Sequence, residues 1–415
     1  MENDKSKIKK VVIFSENLYG VGGAERLLFE EAKYFEKLGI ETYIFSLNFK
    51  SDVLFNNTYD INVEQIGQNS DGSRNLLFKI GQRIFNINAL RQRLKEIKPD
   101  IIISTSQWDC ITLYLATIFT TSAYVTHIHG TIFWFHDDPV KYALIYRNVF
   151  NEIRDSVIGH KEFIPVRPQK TSLSISIFKE FYAVVLYLGV RKAKKIFVLS
   201  NQMKWEVNKL YGKDAIVLKG AFPKEILDYK PRINIKEKLG ISDKKIILNV
   251  NRLDPRKRIS LLIKAFKQIS DNLDNVVLII GGVGPEEGSL KALATELDLQ
   301  DRVKFVGYIK EEELWDYITS CDVFVHPNWA DFAIAAYEPL ALQKKIVWST
   351  EMEIDEYLAG NKHIFTFDPA TNNLARVIER ALNTEVEEDN DLSMYTWDKY
   401  FEKIYGAIIE MIDCK

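Results

Sequence analysis

Short apolar runs alternate along this chain with longer stretches whose apolar positions recur every three or four residues. The runs predict buried strands at 11–15, 41–47, 100–104, 123–127, 195–200 and 215–218 in the first half. In the second half they fall at 246–250, 276–281, 303–305, 322–325 and 345–348. Helical spacing fills the intervals, clearest at 24–38, within 74–95, at 203–211 and in an amphipathic terminal stretch at 395–412. A strand–helix rhythm of this kind builds a doubly wound parallel sheet, and here the rhythm occurs twice. The expected fold class is therefore α/β, with two Rossmann-like parallel-sheet domains.

Two stretches depart from the rhythm. Residues 131–188 are irregular and rich in aromatics, including Phe133, Trp134, Phe135, Tyr142, Tyr146, Phe181 and Tyr187, and Pro165 and Pro168 interrupt them. They read as a helical insertion, either a hairpin extending the first core or a surface for an acceptor or a membrane interface. Residues 223–238 are charged and poorly periodic, which suits a linker. The expected division is an N-terminal domain at 1–225 carrying the insertion, a C-terminal domain at 226–392, and a terminal helical segment at 393–415.

Length adds that 415 residues can bury two substantial cores. With 47% hydrophobic and 27% charged residues the composition is that of a folded globular chain. A net charge of -2 argues against nucleic acid as the main partner. Cys110, Cys321 and Cys414 are odd in number and scattered, with neither a disulfide framework nor metal-ligand spacing, so a reduced cytoplasmic setting is expected. The charged start MENDKSKIKK lacks a signal-peptide core, and the longest apolar stretch, 181–190, is half the ~20 residues of a spanning helix. Within 74–95, Arg74, Lys79, Arg83, Arg91, Arg93 and Lys95 occur without one acidic residue. Such a helix either lies on an anionic membrane or packs on a core with its basic face solvated.

Candidate chemistry gathers where strands end. After the 246–250 run, Arg252 and Lys257 lie in a polar loop that leads to Ile259, Leu262, Ile263 and Phe266 at helical spacing. Two cations beside a helix N-terminus form a phosphate site; an ordinary turn with solvated charges is the plain alternative. Gly281, Gly282 and Gly284 close the next strand, another place for close backbone approach. In the first half, Gly20, Gly22 and Gly23 precede a helix in the order Gly-Val-Gly-Gly-Ala-Glu-Arg, which is not the Gly-x-Gly-x-x-Gly dinucleotide signature. His127 and His129 end the 123–127 strand, where open α/β sheets bind ligands. His129, beside Gly130, is the better placed for a ligand, and His127 suits a core position. His136, Asp137 and Asp138 lack a second cluster, so no metal site is assigned.

The second half resembles the retaining GT-B glycosyltransferases of family 4 (glycosyl transferases group 1). Three segments carry the resemblance: VNRLDPRKRISLLIKAF, LIIGGVGPEEGSLKALATELDLQDRVKFVGYIKEEELWDYITSCDVFVHP and ADFAIAAYEPLALQKKIVWST. In the first half it is carried by the Gly-Gly-Ala-Glu-Arg loop, the His-Gly strand end and KIFVLS. The resemblance implies two domains facing a central cleft, with the last helix returning to the first domain. It makes Arg252 and Lys257 the cations on the donor diphosphate and gives His129 the donor sugar or the reacting hydroxyl.

By the same resemblance Glu338, second acid of a Glu-x7-Glu motif, binds the donor ribose, while Asp331, Phe332 and Ala333 match an Asp-Phe-Gly variant beside the donor sugar. Gly282 and Gly284 join the donor site, and Gly22 and Gly23 a phosphate or acceptor loop. Four departures accompany the match: Asn251 and Arg258 stand for glycines, Ala330 for the first glutamate, and Gln343 for another glycine. A Gly-Gly pair is also missing from 349–356. The implied activity is metal-independent, retaining transfer from a nucleotide-diphosphate sugar, its substrate rather than a cofactor. The acceptor is a glycan or a lipid-linked molecule in polysaccharide assembly. The protein is then cytoplasmic or peripheral on the inner membrane face through 74–95 and 131–188. The alternative is a catalytically silent relative that binds nucleotide or glycan and supports a partner enzyme.

Overall fold

The β-branched runs become parallel strands in two sheets, and each sheet belongs to its own unit of the chain. The computed structural model describes residues 8–18, 23–49, 62–68, 76–130, 143–157, 173–220, 222–328, 334–387 and 391–413. In the first unit β1 (Lys10–Leu18), α1 (Gly23–Lys37), β2 (Glu41–Phe49) and β3 (Val63–Gln65) are followed by α2 (Leu76–Ile97) and β4 (Ile101–Ser104). Next come α3 (Asp109–Thr117), β5 (Tyr124–Ile128), α4 (Leu144–Val157), α5 (Leu173–Lys192), β6 (Ile196–Val198), α6 (Asn201–Tyr211) and β7 (Ile216–Val217). The strand order is β3-β2-β1-β4-β5-β6-β7, so the winding direction reverses between β1 and β4. Ile101, Ile102 and Ile103 are all fully buried, as expected of a parallel strand covered on both faces.

The second unit contains α7 (Ile235–Lys238), β8 (Lys245–Val250), α8 (Ile259–Ser270), β9 (Val276–Gly281), α9 (Glu287–Glu296), β10 (Val303–Gly307) and α10 (Glu311–Ser320). It continues through β11 (Val323–His326), α11 (Tyr337–Ala341), β12 (Lys345–Ser349), β13 (Ile364–Phe367) and α12 (Leu374–Asn383). Its sheet runs β10-β9-β8-β11-β12-β13, reversing between β8 and β11. Ile259, Leu262, Ile263 and Phe266 of α8 are fully buried in one core with strand residues Ile247, Leu278 and Val325 and with α12. The helical spacing of those four residues is thus the core face of α8.

The final helix, α13 (Trp397–Asp413), is divided at its start, since Asp398 onward belongs to the first unit. There Phe401 packs on Tyr34 and Tyr405 on Phe35, both from α1. Together with the short piece Val157–His160, the second unit takes Lys219–Trp397, starting before residue 225. Backbone bonds set this limit: Phe222 N donates to Tyr395 O at 3.1 Å, and Trp397 N to Phe222 O at 2.9 Å. Gly220 has φ +63°, and a Cβ there would meet the rings of Tyr395 and Tyr337 at 2.7 and 2.8 Å.

Three sequence expectations change in detail. The 223–238 stretch is docked rather than free, because buried Asp316 Oδ1 accepts from Tyr229 Oη (2.9 Å), Arg232 N (2.7 Å) and Ile233 N (3.2 Å). β1 extends past its apolar run through Ser15, Glu16 and Asn17, held by pairing of Ser15 with Ser46 and Asn17 with Asn48. Three of the basic residues of α2 are already committed to partners in the fold. Arg93 pairs with Glu64 and Glu96, Arg91 donates to the carbonyls of Leu115 and Ala116, and Arg83 pairs with Glu16. Among the described residues no helix is long and apolar enough to cross a membrane.

Candidate functional site at the ends of β8 and β11

Open α/β sheets bind ligands outside the carboxyl ends of their strands, where the winding direction reverses. In the second unit that point lies between β8 and β11, and the Arg252–Lys257 loop leaves β8 there. Asp254 caps the single 3-10 turn Pro255–Lys257, accepting from Arg256 N at 3.1 Å. Arg252 is exposed, and its guanidinium has no hydrogen bond or ion pair among the described residues. Lys257 is half-buried, and its charge lies near enough to His326 at the end of β11 to act on that ring.

Gly282 and Gly284 build this loop from behind. Gly282 has φ +118°, and a Cβ there would lie 1.9 Å from Asn251 O; one at Gly284 would lie 2.3 Å from Leu253 O. Two backbone bonds then tie the loops together, Leu253 N to Val283 O at 3.0 Å and Glu286 N to Leu253 O at 3.1 Å. The close approach these glycines allow is therefore to the backbone of 251–253, which positions Arg252. Glu338 is buried in α11, where Trp315 Nε1 approaches its Oε1 at 3.5 Å. Asp331, Phe332 and Ala333 lie outside the described residues, as do Ala330 and Gly22. Gly23 is exposed at the first residue of α1, with nothing within 4 Å of a Cβ placed there.

His129 lies past the end of β5 in the first unit, 4.1 Å centroid to centroid from His127. Both ring nitrogens of His129 are shielded from solvent without hydrogen-bond partners among the described residues, and burial pushes its pKa down to about 3. The ring is neutral at physiological pH. His127 is the core residue of the pair: it is fully buried, and its Nε2 lies 2.7 Å from Tyr400 Oη.

The sequence reading overlooked a set of polar groups at the same strand ends. Asn249 Nδ2 donates to Val325 O at 2.7 Å, cross-linking β8 to β11. Asn249 Oδ1, Asn251 Nδ2, both polar side-chain atoms of Asn328 and both ring nitrogens of His326 are buried without partners among the described residues. Leaving such groups unmatched costs about 1–3 kcal/mol each, so a ligand that satisfies them gains that back. The available signal was the polar pairs Asn249/Asn251 and His326/Asn328 closing two otherwise apolar strands.

Two departures from the family pattern meet one another here. Arg258 sits in the left-handed region at φ 49°, which explains why glycine is usual at this place. Its guanidinium forms a two-pronged pair with Glu351 just after β12, in the segment that lacks the Gly-Gly; Nη2 lies 3.2 Å from Oε1, and Nη1 bonds Oε2. Both side chains are buried. Ser349 Oγ adds a bond to Glu351 Oε2 at 3.3 Å. In a double-mutant cycle of Arg258→Gly and Glu351→Gly, urea unfolding should show a coupling of about 1 kcal/mol or more. Additive effects would mean that the pair does not hold these two loops together. Gln343, also at a glycine place, is likewise left-handed at φ 56°.

Comparison with known proteins identifies the chain. The description Glycosyltransferase Family 4 matches residues 21–218, and Glycosyl transferases group 1 matches residues 231–397. The chain belongs to the family 4, group 1 glycosyltransferases. It is 26% identical over 249 residues to an uncharacterized glycosyltransferase of Methanocaldococcus jannaschii, covering 54% of this chain and 63% of that protein. It is 36% identical over 102 residues to the alpha-monoglucosyldiacylglycerol synthase of Streptococcus pneumoniae, covering 24% of this chain and 23% of the other. The matches thus span less than two thirds of either relative's length. Among solved structures, Anabaena HepE in complex with UDP superposes with a TM-score of 0.65 at 16% identity, covering 97% of each chain. That likeness shows the GT-B fold.

Proposed function

We propose that this family 4 glycosyltransferase moves a sugar from a nucleotide-diphosphate donor to a hydroxyl of a glycan or lipid-linked acceptor. The proposal includes transfer without a metal and with retention of anomeric configuration. The observation that carries it is the exposed Arg252 guanidinium, unpaired among the described residues, in one loop with Lys257 at the β8/β11 reversal. A guanidinium offers two parallel donors to a phosphate and an ammonium adds a compact charge. As the bond from the anomeric carbon to the phosphate oxygen stretches, negative charge grows on the leaving diphosphate. Cations already fixed in place stabilise that charge without reorganising.

In this reading Glu338 and the buried Asn251, His326 and Asn328 groups bind the nucleotide or the sugar. His129, neutral, hydrogen-bonds the donor sugar or the reacting hydroxyl. Support for a nucleotide donor comes from the UDP in the HepE structure, and for a lipid acceptor from the diacylglycerol named for the pneumococcal relative. A peripheral membrane position rests on exposed apolar side chains, Phe78, Ile84 and Phe85 of α2 and Phe181, Val184 and Leu188 of α5, rather than on the committed arginines.

One assay tests the whole reading. The protein is incubated with a panel of UDP-, GDP- and ADP-sugars, with glycan acceptors in solution and glycolipid acceptors in vesicles. Free nucleoside diphosphate released only when acceptor is present, and protein sedimenting with the vesicles, are the expected results. Nucleotide binding with no release from any donor–acceptor pair would favour the silent relative.

A further inference from the structure

The first unit holds a cavity of about 370 Å³ at its own winding reversal, between the ends of β1 and β4. Ligand sites occupy roughly 300–1,000 Å³, so this one suits a single small ring. Its walls include Glu16, Glu25, Thr105, Trp108, Asp109 and Tyr182. Asp109 closes the floor and has both oxygens engaged: Oδ1 accepts from Glu16 N at 2.8 Å, and Oδ2 from Thr105 N and Oγ1 at 3.2 Å each. Burial pushes its pKa up to about 7.

Glu16 is differently placed. Its Oε2 accepts from Thr112 Oγ1 at 3.0 Å and from Arg83 Nη2 at 3.3 Å, while Oε1 has no partner among the described residues. Arg83 is not a free cation for a ligand, since the same nitrogen also reaches Thr112 Oγ1 (3.4 Å) and Tyr182 Oη (3.3 Å). Trp108 leaves 46% of its surface open. The cavity therefore offers an acceptor oxygen and an aromatic ring, and the Arg83 cation bonded to Glu16 is already neutralised.

We propose that this cavity binds a neutral, polyhydroxylated ring, with Glu16 Oε1 accepting one ring hydroxyl and Trp108 covering an apolar ring face. A phosphate or carboxylate on the ring finds Arg83 already paired with Glu16 and so gains no charge partner from it. An ammonium gains little, because Arg83 already balances Glu16. That this ring is the acceptor terminus rests on the transferase reading; that it binds here does not.

The experiment is saturation-transfer NMR on the full chain with methyl α-D-glucopyranoside, methyl α-D-galactopyranoside and myo-inositol. Glucose 6-phosphate and glucosamine serve as charged counterparts, and UDP is titrated separately into the same preparation. At least one neutral ring should bind, neither charged sugar should displace it, and Trp108→Ala should weaken it about tenfold with the melting temperature kept. Glu16→Gln should lower the discrimination against glucose 6-phosphate. Tighter binding of glucose 6-phosphate or glucosamine to the wild type would overturn the proposal, and so would neutral-ring binding that ignores both substitutions. UDP binding with no ring bound defeats this inference and spares the transferase; ring binding at Trp108 without UDP binding or transfer does the reverse.

Discussion

Arg252→Ala should lower the turnover rate by a hundredfold to a thousandfold, the range seen when one pre-placed donor to a developing oxyanion is removed. The side chain is exposed and unpaired among the described residues, so its loss should leave stability near wild type. The rate defect would then report chemistry rather than unfolding. Arg252→Lys separates the two things the guanidinium supplies. It keeps the charge and loses the two-pronged geometry, so its rate should fall between alanine and wild type. Lys257→Ala should cost about a hundredfold as well. Being half-buried beside His326, it should also change the packing of that ring, and a modest stability loss should accompany it. Single-turnover rates with a saturating nucleotide sugar are the measurement. An Arg252→Ala enzyme that turns over like the wild type would remove the diphosphate assignment.

Much of the architecture was legible because parallel strands buried on both faces are written as unbroken β-branched runs, as at 101–103 and 276–281. What escaped was structure held by something other than apolar pattern. β3 reads Val-Glu-Gln and sits at a sheet edge, so no run marks it. The polar extension of β1 through Glu16 depends on pairing with β2, which no local pattern encodes. The docking of 223–238 depends on Asp316, more than eighty residues away in sequence from its partners.

The same contrast holds for the site. Arg252 and Lys257 stand out in the sequence because two cations in one βα loop are a local feature. The Asn249, His326 and Asn328 groups converge only because β8 and β11 are neighbours across the reversal. Residue substitutions at the glycine places were visible in sequence, yet their meaning was not. Only the geometry shows that Arg258 tolerates a left-handed backbone and meets the glutamate that follows β12.

Stability should fall as pH rises from about 6.5 to 8, and Glu31→Gln should flatten that fall. Glu31 lies on α1, fully buried, with neither carboxyl oxygen partnered among the described residues. Burial raises its pKa from 4.5 to about 8, so the folded chain keeps a proton that the unfolded chain releases near 4.5. Above 4.5 the folded state binds more protons, and its stability declines with pH until Glu31 itself ionises. Buried His127, His129 and His326 act oppositely, since burial lowers their pKa values below 6.5. Their contribution grows as pH rises through 6.5 and is nearly complete one unit above it, a smaller change over 6.5–8 than the opposing one from Glu31. Asp109, raised to about 7, adds to the decline only up to that point.

The interval from 6.5 to 8 is therefore where Glu31 dominates, and at about 1.4 kcal/mol per pH unit it accounts for about 2 kcal/mol. Urea unfolding at pH 6.5, 7.25 and 8 measures it in both proteins. Equal slopes for wild type and Glu31→Gln would mean that Glu31 is charged and partnered in solution. Glu31 also faces Tyr400 of α13, whose hydroxyl holds His127, one ring away from His129. Ionising Glu31 thus strains the contact through which the last helix supports the His129 strand end, and hydrogen exchange in α13 should accelerate over the same pH interval.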